Sequence, residues 1–264
     1  MLNINQLYID TKRTADLIED FIKSSVYSSG LNGAVVAVSG GIDSATTLAA
    51  TVKAIGPNKV FAITLPERDV TPNQDVTDVI QLCKFLGITC EQIEITPMLR
   101  GITDNLHLFQ TQSKVAYGNI KARLRMLLTY YHANLLNSLV IGTSNKTELC
   151  LGYFTKFGDG GADILPLADL YKCQVRQIAS FLKIPVSIVN KPASARLWVG
   201  QETENEIGCP YDILDLIVYA HIKGLTNSEI ASEIGTELKI VESIVSRIKS
   251  SEHKRKPPLA LRLS

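Results

Sequence analysis

The run Val35-Val36-Ala37-Val38-Ser39-Gly40-Gly41-Ile42-Asp43-Ser44-Ala45 constrains this chain more than any other segment, because an apolar strand ends in a glycine turn and passes directly into a helix. Gly40 and Gly41 lack a Cβ, so backbone N–H groups can approach an anion closely, and the positive end of the following helix dipole faces the same point. Ser39 and Ser44 add neutral donors. Asp43 would repel a bare phosphate, whereas a divalent cation between them attracts both, so the loop implies a magnesium nucleotide. The spacing is not G-x-x-x-x-G-K-[ST], and the lysine of that pattern is absent. The alternative is a tight turn in which Asp43 or Ser44 caps the helix, which needs one such residue and not the whole set.

The rest of the chain repeats this alternation. Ile4–Ser29 carries apolar residues at helical spacing up to Gly30. Short β-branched runs follow at Ala34–Val38, Val60–Leu65, Glu91–Ile95 and Leu139–Gly142, separated by helical stretches around Ala45–Ile55, Asn73–Leu86 and Ser113–Asn137. Strands alternating with helices predict an α/β fold, a parallel sheet with helices on both faces. Ligands of such sheets sit beyond the carboxyl ends of the strands, where Ser39, Pro66 and Thr143 fall. From Gly142 to about Pro166 periodicity fades, which predicts a long functional loop. Further helices are expected around Tyr171–Leu182, Tyr211–Lys223, Asn227–Ile234 and Leu238–Lys249.

Composition narrows the partners. The 264 residues, 45% hydrophobic and 20% charged, suffice for one large core, and one domain over 1–264 is the simpler reading. A formal charge of +1 offers no global field for nucleic acid or membrane. No apolar run approaches a membrane span and Met1–Asp10 lacks signal-peptide character, so a cytoplasmic location is expected. Five scattered cysteines without a C-x-x-C pair argue against a disulfide framework or zinc site.

Two segments can carry chemistry beside the glycine turn. In Thr143-Ser144-Asn145-Lys146-Thr147-Glu148, Thr143 can meet a nucleotide and Glu148 can give a second carboxylate to the metal; a capping-box role for Glu148 reads equally well. The segment Gly152-Tyr153-Phe154-Thr155-Lys156-Phe157-Gly158-Asp159-Gly160-Gly161-Ala162-Asp163 mixes aromatics, glycines and acids, which suits a lid; a connective loop with Tyr153, Phe154 and Phe157 folded inward is the alternative.

The S-G-G-x-D-S turn resembles the pyrophosphate loop of N-type ATP pyrophosphatases. Together with Asn119-Ile120-Lys121-Ala122-Arg123-Leu124-Arg125-Met126, the Gly152–Asp163 segment, Asp169-Leu170-Tyr171-Lys172, Lys191–Trp198 and Glu252-His253-Lys254-Arg255, it resembles ammonia-dependent NAD⁺ synthetases over nearly the whole chain. The resemblance implies a three-layer sandwich of the N-type ATP pyrophosphatase kind, and amidation of nicotinic acid adenine dinucleotide (deamido-NAD) with ATP, Mg²⁺ and ammonia through an adenylated carboxylate in a homodimer. It implies catalytic roles for Asp43, Asp159 and Lys172, and metal binding by Asp43 and Glu148. The phosphates of ATP fall to Ser39, Gly40, Gly41, Ile42, Asp43, Ser44, Ala45 and Thr46, with Thr143, Lys172 and Ser194 as further ATP contacts. Asn119, Arg123, Tyr130, Lys156, Asp163, His253 and Lys254 fall to deamido-NAD. The helix around Asn119–Tyr131 would pair across a two-fold axis, so that Arg123 and Tyr130 build a shared site. By residue type alone, Lys172 reads as a solvated lysine at a helix start and His253-Lys254 as a frayed basic end.

Some positions depart from that pattern. Arg196 stands where an acid is common, Thr203 near a usual Asp, and Thr64 where some members place arginine before Leu65-Pro66; Arg68 is the candidate to replace that contact with ATP. Met1 lies close to the leading helix, so no glutaminase domain is expected and free ammonia is the expected nitrogen source. Other readings are a GMP synthetase or tRNA-modifying enzyme of the same fold, or a helix-turn-helix at Leu225–Ile248. Glu237 and Glu242 in the would-be recognition helix are poor for phosphate contact and disfavour DNA.

Overall fold

Val35 and Val36 are both inaccessible to solvent although they point to opposite faces of one strand, so both faces of the sheet around them are covered. The computed structural model describes residues 1–110 and 113–262. Its strands are β1 (Gly33–Ala37), β2 (Val60–Thr64), β3 (Cys90–Gln92) and β4 (Ser138–Ile141), all parallel in the order β3-β2-β1-β4. Ala34 stands opposite Val60 on one side of β1 and Leu139 on the other. The chain winds outward from β1 through β2 to β3, then crosses back to place β4 beside β1. That reversal leaves a crevice at the carboxyl ends of β1 and β4.

Three helices precede the crossover: α1 (Thr11–Ser28), α2 (Ile42–Ile55) and α3 (Asn73–Phe85). Next come α4 (Thr96–Thr103), α5 (Lys114–Leu135), α6 (Lys146–Leu151) and α7 (Lys172–Phe181). Val36 packs with Ile22, Leu48, Leu82 and Ile178 from α1, α2, α3 and α7. Val35 packs on the other face with Leu99 of α4 and Leu124 of α5. The three layers are therefore helix, sheet, helix. After α8 (Val186–Val189) and α9 (Thr203–Ile207), a third apolar cluster gathers α10 (Tyr211–Ile222), α11 (Asn227–Ile234) and α12 (Leu238–Ser250), followed by α13 (Glu252–Arg255).

Three differences from the sequence reading have local causes. The leading helix begins at Thr11, because Asp10 caps it by accepting from Arg13 N at 3.0 Å, and Ile4–Leu7 forms a separate 3₁₀ turn. The third strand ends at Gln92, since Ile95 already turns into α4. The stretch from Gly142 to Pro166 contains α6 and returns to the sheet, where Gly142 N donates to Ile164 O at 2.9 Å. The pair α11–α12 that resembles a helix-turn-helix turns Ile230, Val241, Ile244 and Val245 into the third cluster. Among the described residues no helix is long and apolar enough to cross a membrane.

Candidate active site

The glycine turn is built around a backbone conformation that closes tightly on its neighbours. Gly40 has φ +82°, and a Cβ there would stand 2.6 Å from Asp75 O, so only glycine fits. Ser39 N donates to Ser44 Oγ at 3.1 Å, and Ser44 Oγ donates to Gly41 O at 3.0 Å, which holds the turn closed on itself. No side chain caps α2. This decides against the capping reading of Asp43 and Ser44 and leaves the helix terminus available to an anion.

Asp43 points across the crevice instead. Its Oδ2 pairs with Lys172 Nζ, and Glu148 Oε1 lies 3.2 Å from the same nitrogen. Lys172 is 3% exposed, which overturns the solvated reading of that residue. The long stem of a lysine at a helix start reaches water only where the helix end does, and here α10 covers it, with the Tyr211 ring 5.0 Å from the ammonium. Burial pushes the Lys172 ammonium down, but Asp43 and Glu148 together outweigh it and hold it above the usual lysine value. Burial and the neighbouring Asp43 push the Glu148 carboxyl up to about 7, against the opposing pull of Lys172.

Of the two sequence readings of Glu148, the capping box is present, and the same side chain also faces the cavity. It closes a capping box with Asn145, whose Oδ1 accepts from Glu148 N at 2.9 Å, and it faces Lys172 with Oε1. Asn145, which the sequence reading passed over, is fully buried and also donates from Nδ2 to Asp43 Oδ1 at 2.8 Å. The N-x-x-E spacing signals the cap; the link to Asp43, 102 positions away, has no local signal.

These groups line a cavity of about 420 Å³ at the strand ends. Ser39, Gly41, Ile42, Asp43, Ser44, Thr143, Glu148, Lys172 and Ser194 line it, as do Asn119, Asp159 and Lys254. Gly40, Ala45 and Thr46 do not: Ala45 and Thr46 are fully buried in α2, and Gly40 packs on Asp75. Asp159 retains solvent contact because it faces the cavity, yet protein surrounds it closely enough to push its carboxyl above the usual aspartate value, despite a 2.8 Å hydrogen bond from Thr155 N. Tyr153 and Phe154 are half-buried against the cavity, while Phe157 is exposed.

Arg123, Tyr130, Lys156, Asp163 and His253 are not brought to the cavity wall. Asp163 accepts from Val140 N at 2.7 Å and from Tyr130 Oη at 3.0 Å, fastening the end of the Gly152–Asp163 segment to β4 and α5. Exposed Arg123 reaches Lys156 O at 3.3 Å. The basic end is not frayed: Lys156 Nζ donates to His253 O at 2.7 Å, and Lys254 Nζ donates to Gly152 O and Phe154 O at 2.7 and 2.9 Å. Arg68 pairs with Glu94 at 3.0 Å and leaves the cavity edge to Thr64. Arg196 pairs with Asp75 at 2.8 Å, beside Lys191, which bridges Asp75 and Asp78 at 2.7 and 2.6 Å. A basic residue there neutralises a buried acidic pair under the glycine turn.

The NAD synthase family profile matches residues 14–258. The chain belongs to the NAD synthase family. It is 42% identical over 261 residues to an NH₃-dependent NAD⁺ synthetase from Hyperthermus butylicus, covering 98% of this chain and 94% of that one. It is 44% identical over 250 residues to the NH₃-dependent NAD⁺ synthetase of Archaeoglobus fulgidus, covering 94% and 96%. Among solved structures, an NMN synthetase from Francisella tularensis superposes with a TM-score of 0.86 at 35% identity, over 97% of this chain and all of that one. An NH₃-dependent NAD synthetase from Campylobacter jejuni superposes with a TM-score of 0.81 at 28% identity, over the same shares. For this NAD synthase, the likeness extends to the parallel sheet and its flanking helices.

Proposed function

We propose that this NAD synthase is an ammonia-dependent carbon–nitrogen ligase that converts deamido-NAD to NAD⁺ in the cytoplasm, with residues 1–264 acting as one unit. The observation that carries it is the trio Asp43, Glu148 and Lys172 beside the uncapped start of α2, in a cavity that Tyr153 and Phe154 help to line. A carboxylate is a poor acyl donor, so its oxide must become a leaving group. An oxygen of the nicotinate carboxylate attacks the α-phosphorus of ATP, and the bond from that phosphorus to pyrophosphate breaks. Ammonia then attacks the acyl carbon, the bond to the AMP oxygen breaks, and one proton leaves the nitrogen.

The parts of the site match these demands. The N–H groups at the start of α2 and the Lys172 ammonium stabilise phosphate charge without reorganising. Ser194 and Thr143 offer hydroxyls to the nucleotide from the cavity wall. Asp159, which lines the cavity and accepts from Thr155 N, is the residue this reading assigns to order the lid and take the proton, a role worth about 10²–10⁴-fold. Asp43 and Glu148 fit Mg²⁺, an ion commonly held by one or two carboxylates plus phosphate oxygens. Among the described residues no group of three or more acidic, histidine or cysteine side chains could hold a metal alone, and the assignment of Mg²⁺ rests on these two carboxylates. When bound, it would supply positive charge to the departing pyrophosphate.

A partner copy completes the reading. Arg123, Leu127, Tyr131 and Leu135 fall at four-residue spacing on α5, and Leu127, Tyr131 and Leu135 are 59, 60 and 68% exposed. Pairing of this stripe across a two-fold axis would bury it and carry Arg123 toward a dinucleotide site shared between subunits. A second reading, amidation of nicotinate mononucleotide, is favoured by the likeness to the Francisella NMN synthetase. Incubation with ATP, Mg²⁺, ammonium and an equimolar mixture of deamido-NAD and nicotinate mononucleotide, followed by mass analysis, tests both. NAD⁺ as the main product supports the first reading, and nicotinamide mononucleotide supports the second. Neither amide product refutes both.

A further inference from the structure

Asp215 is 0% exposed, on α10 among Leu214, Leu216, Ile217 and Val218. Among the described residues it forms no ion pair. Its carboxylate is instead ringed by donors: Oδ1 accepts from Thr147 Oγ1 at 2.5 Å and from Lys172 N at 3.3 Å, and Oδ2 accepts from Cys173 N at 2.8 Å. A buried carboxylate without a cation is costly, and an apolar residue would serve packing better. Its partners explain its presence. Thr147 immediately precedes Glu148 in α6, and Lys172 and Cys173 open α7. One side chain on a third helix therefore ties together the two helix starts whose own side chains, Glu148 and Lys172, meet at 3.2 Å in the cavity. Asp215 itself does not line that cavity.

We propose that Asp215 is a positioning residue for the ligase reaction, setting the Glu148–Lys172 geometry from behind. The proposal rests on the synthetase reading. Asparagine in its place keeps one acceptor oxygen but turns an amide N–H₂ toward Thr147 Oγ1 and Lys172 N or toward Cys173 N, so at least one donor meets a donor. The two helix starts then lose their common anchor. The uncapped start of α2, which would carry most of the phosphate contacts, is not tied to Asp215, so the effect falls on turnover, where Lys172 meets developing charge, more than on ATP capture.

The test uses full-length Asp215→Asn, Thr147→Val and Thr147→Ser. Circular dichroism and thermal melting check the fold, and pyrophosphate release with ammonium and deamido-NAD gives kcat and the KM for ATP. Asp215→Asn should lower kcat about 10–100-fold per folded molecule, the range seen when partners behind site ligands are lost, with the KM for ATP within about threefold. Thr147→Val should lower kcat in the same direction, and Thr147→Ser, which restores the hydroxyl, should return it to near the wild-type value. An Asp215→Asn protein that melts earlier yet keeps kcat within twofold would overturn the proposal. If Asp215→Asn does not fold, the threonine pair decides, and equal kcat for Val and Ser counts against it. An inactive wild-type protein sinks the synthetase reading and this role together, whereas an active wild type with an unimpaired Asp215→Asn sinks this role alone.

Discussion

Asn145 ties the glycine turn to α6: its Nδ2 donates to Asp43 Oδ1 at 2.8 Å, while its Oδ1 accepts the Glu148 amide at 2.9 Å. One neutral side chain thus holds the Asp43 carboxylate and the start of the helix that presents Glu148 to the same ammonium. Asn145→Ala removes a helix cap worth about 0.5–2 kcal/mol and releases Asp43. Urea unfolding should report a loss of about 1 kcal/mol, and pyrophosphate release should fall at least tenfold. A variant with full turnover would show that Asp43 needs no such support.

Asp43→Asn should abolish pyrophosphate release. Asp43 is only 16% exposed and paired with a buried lysine, so a stability loss is also expected, moderated because Glu148 remains beside the ammonium. Thermal melting alongside turnover at several Mg²⁺ concentrations separates the two effects. Near-normal turnover at limiting Mg²⁺ refutes the metal assignment.

Glu148 predicts a pH dependence with a definite sign. Its carboxyl is raised from 4.5 to about 7 in the fold, so the native state binds a proton more tightly than the unfolded chain. Stability associated with this group is therefore full below about pH 4.5, falls as pH rises toward about 7, and stays level above. Between pH 5 and pH 8, in the absence of nucleotide and metal, the wild type should lose on the order of 1–3 kcal/mol more than Glu148→Gln in urea titrations. Parallel curves for the two proteins would exclude the shift.

Asp159→Ala should separate the two half-reactions. Adenylate formation, followed as pyrophosphate release in a single turnover, should persist, while amide formation falls about 10²–10⁴-fold. Thr155 N loses its acceptor in this variant, so hydrogen exchange across Tyr153–Asp163 should quicken. In the wild type, exchange there that is unchanged by saturating ATP and deamido-NAD would mean the segment is not a ligand-ordered lid.

Leu127→Arg should convert a dimer to monomers in sedimentation and raise the KM for deamido-NAD more than that for ATP, since the stripe on α5 carries Arg123. Truncation before His253 should shift the same KM while leaving the dimer intact, because it unpins Lys156 and removes the Lys254 bonds to Gly152 and Phe154. A fully active monomer refutes the shared site.

Local sequence alone determined much of this protein. Alternating β-branched and helical stretches specify a parallel sheet, because period and branching are read within a few residues. The glycine turn marks the passage from β1 into α2 for the same reason, and N-x-x-E marks the start of α6. Tertiary structure decided what local pattern cannot carry. Lys172 reads as solvated until α10 covers α7; Asp163 reads as a lid acid until Val140 N and Tyr130 claim it. Asp215 carries no local signal of its own, and its bond to Thr147, 68 positions away, exists only in the folded chain. Contacts across such separations depend on how the helices stack around the sheet, and helical spacing records only which face is buried, not which partner it meets.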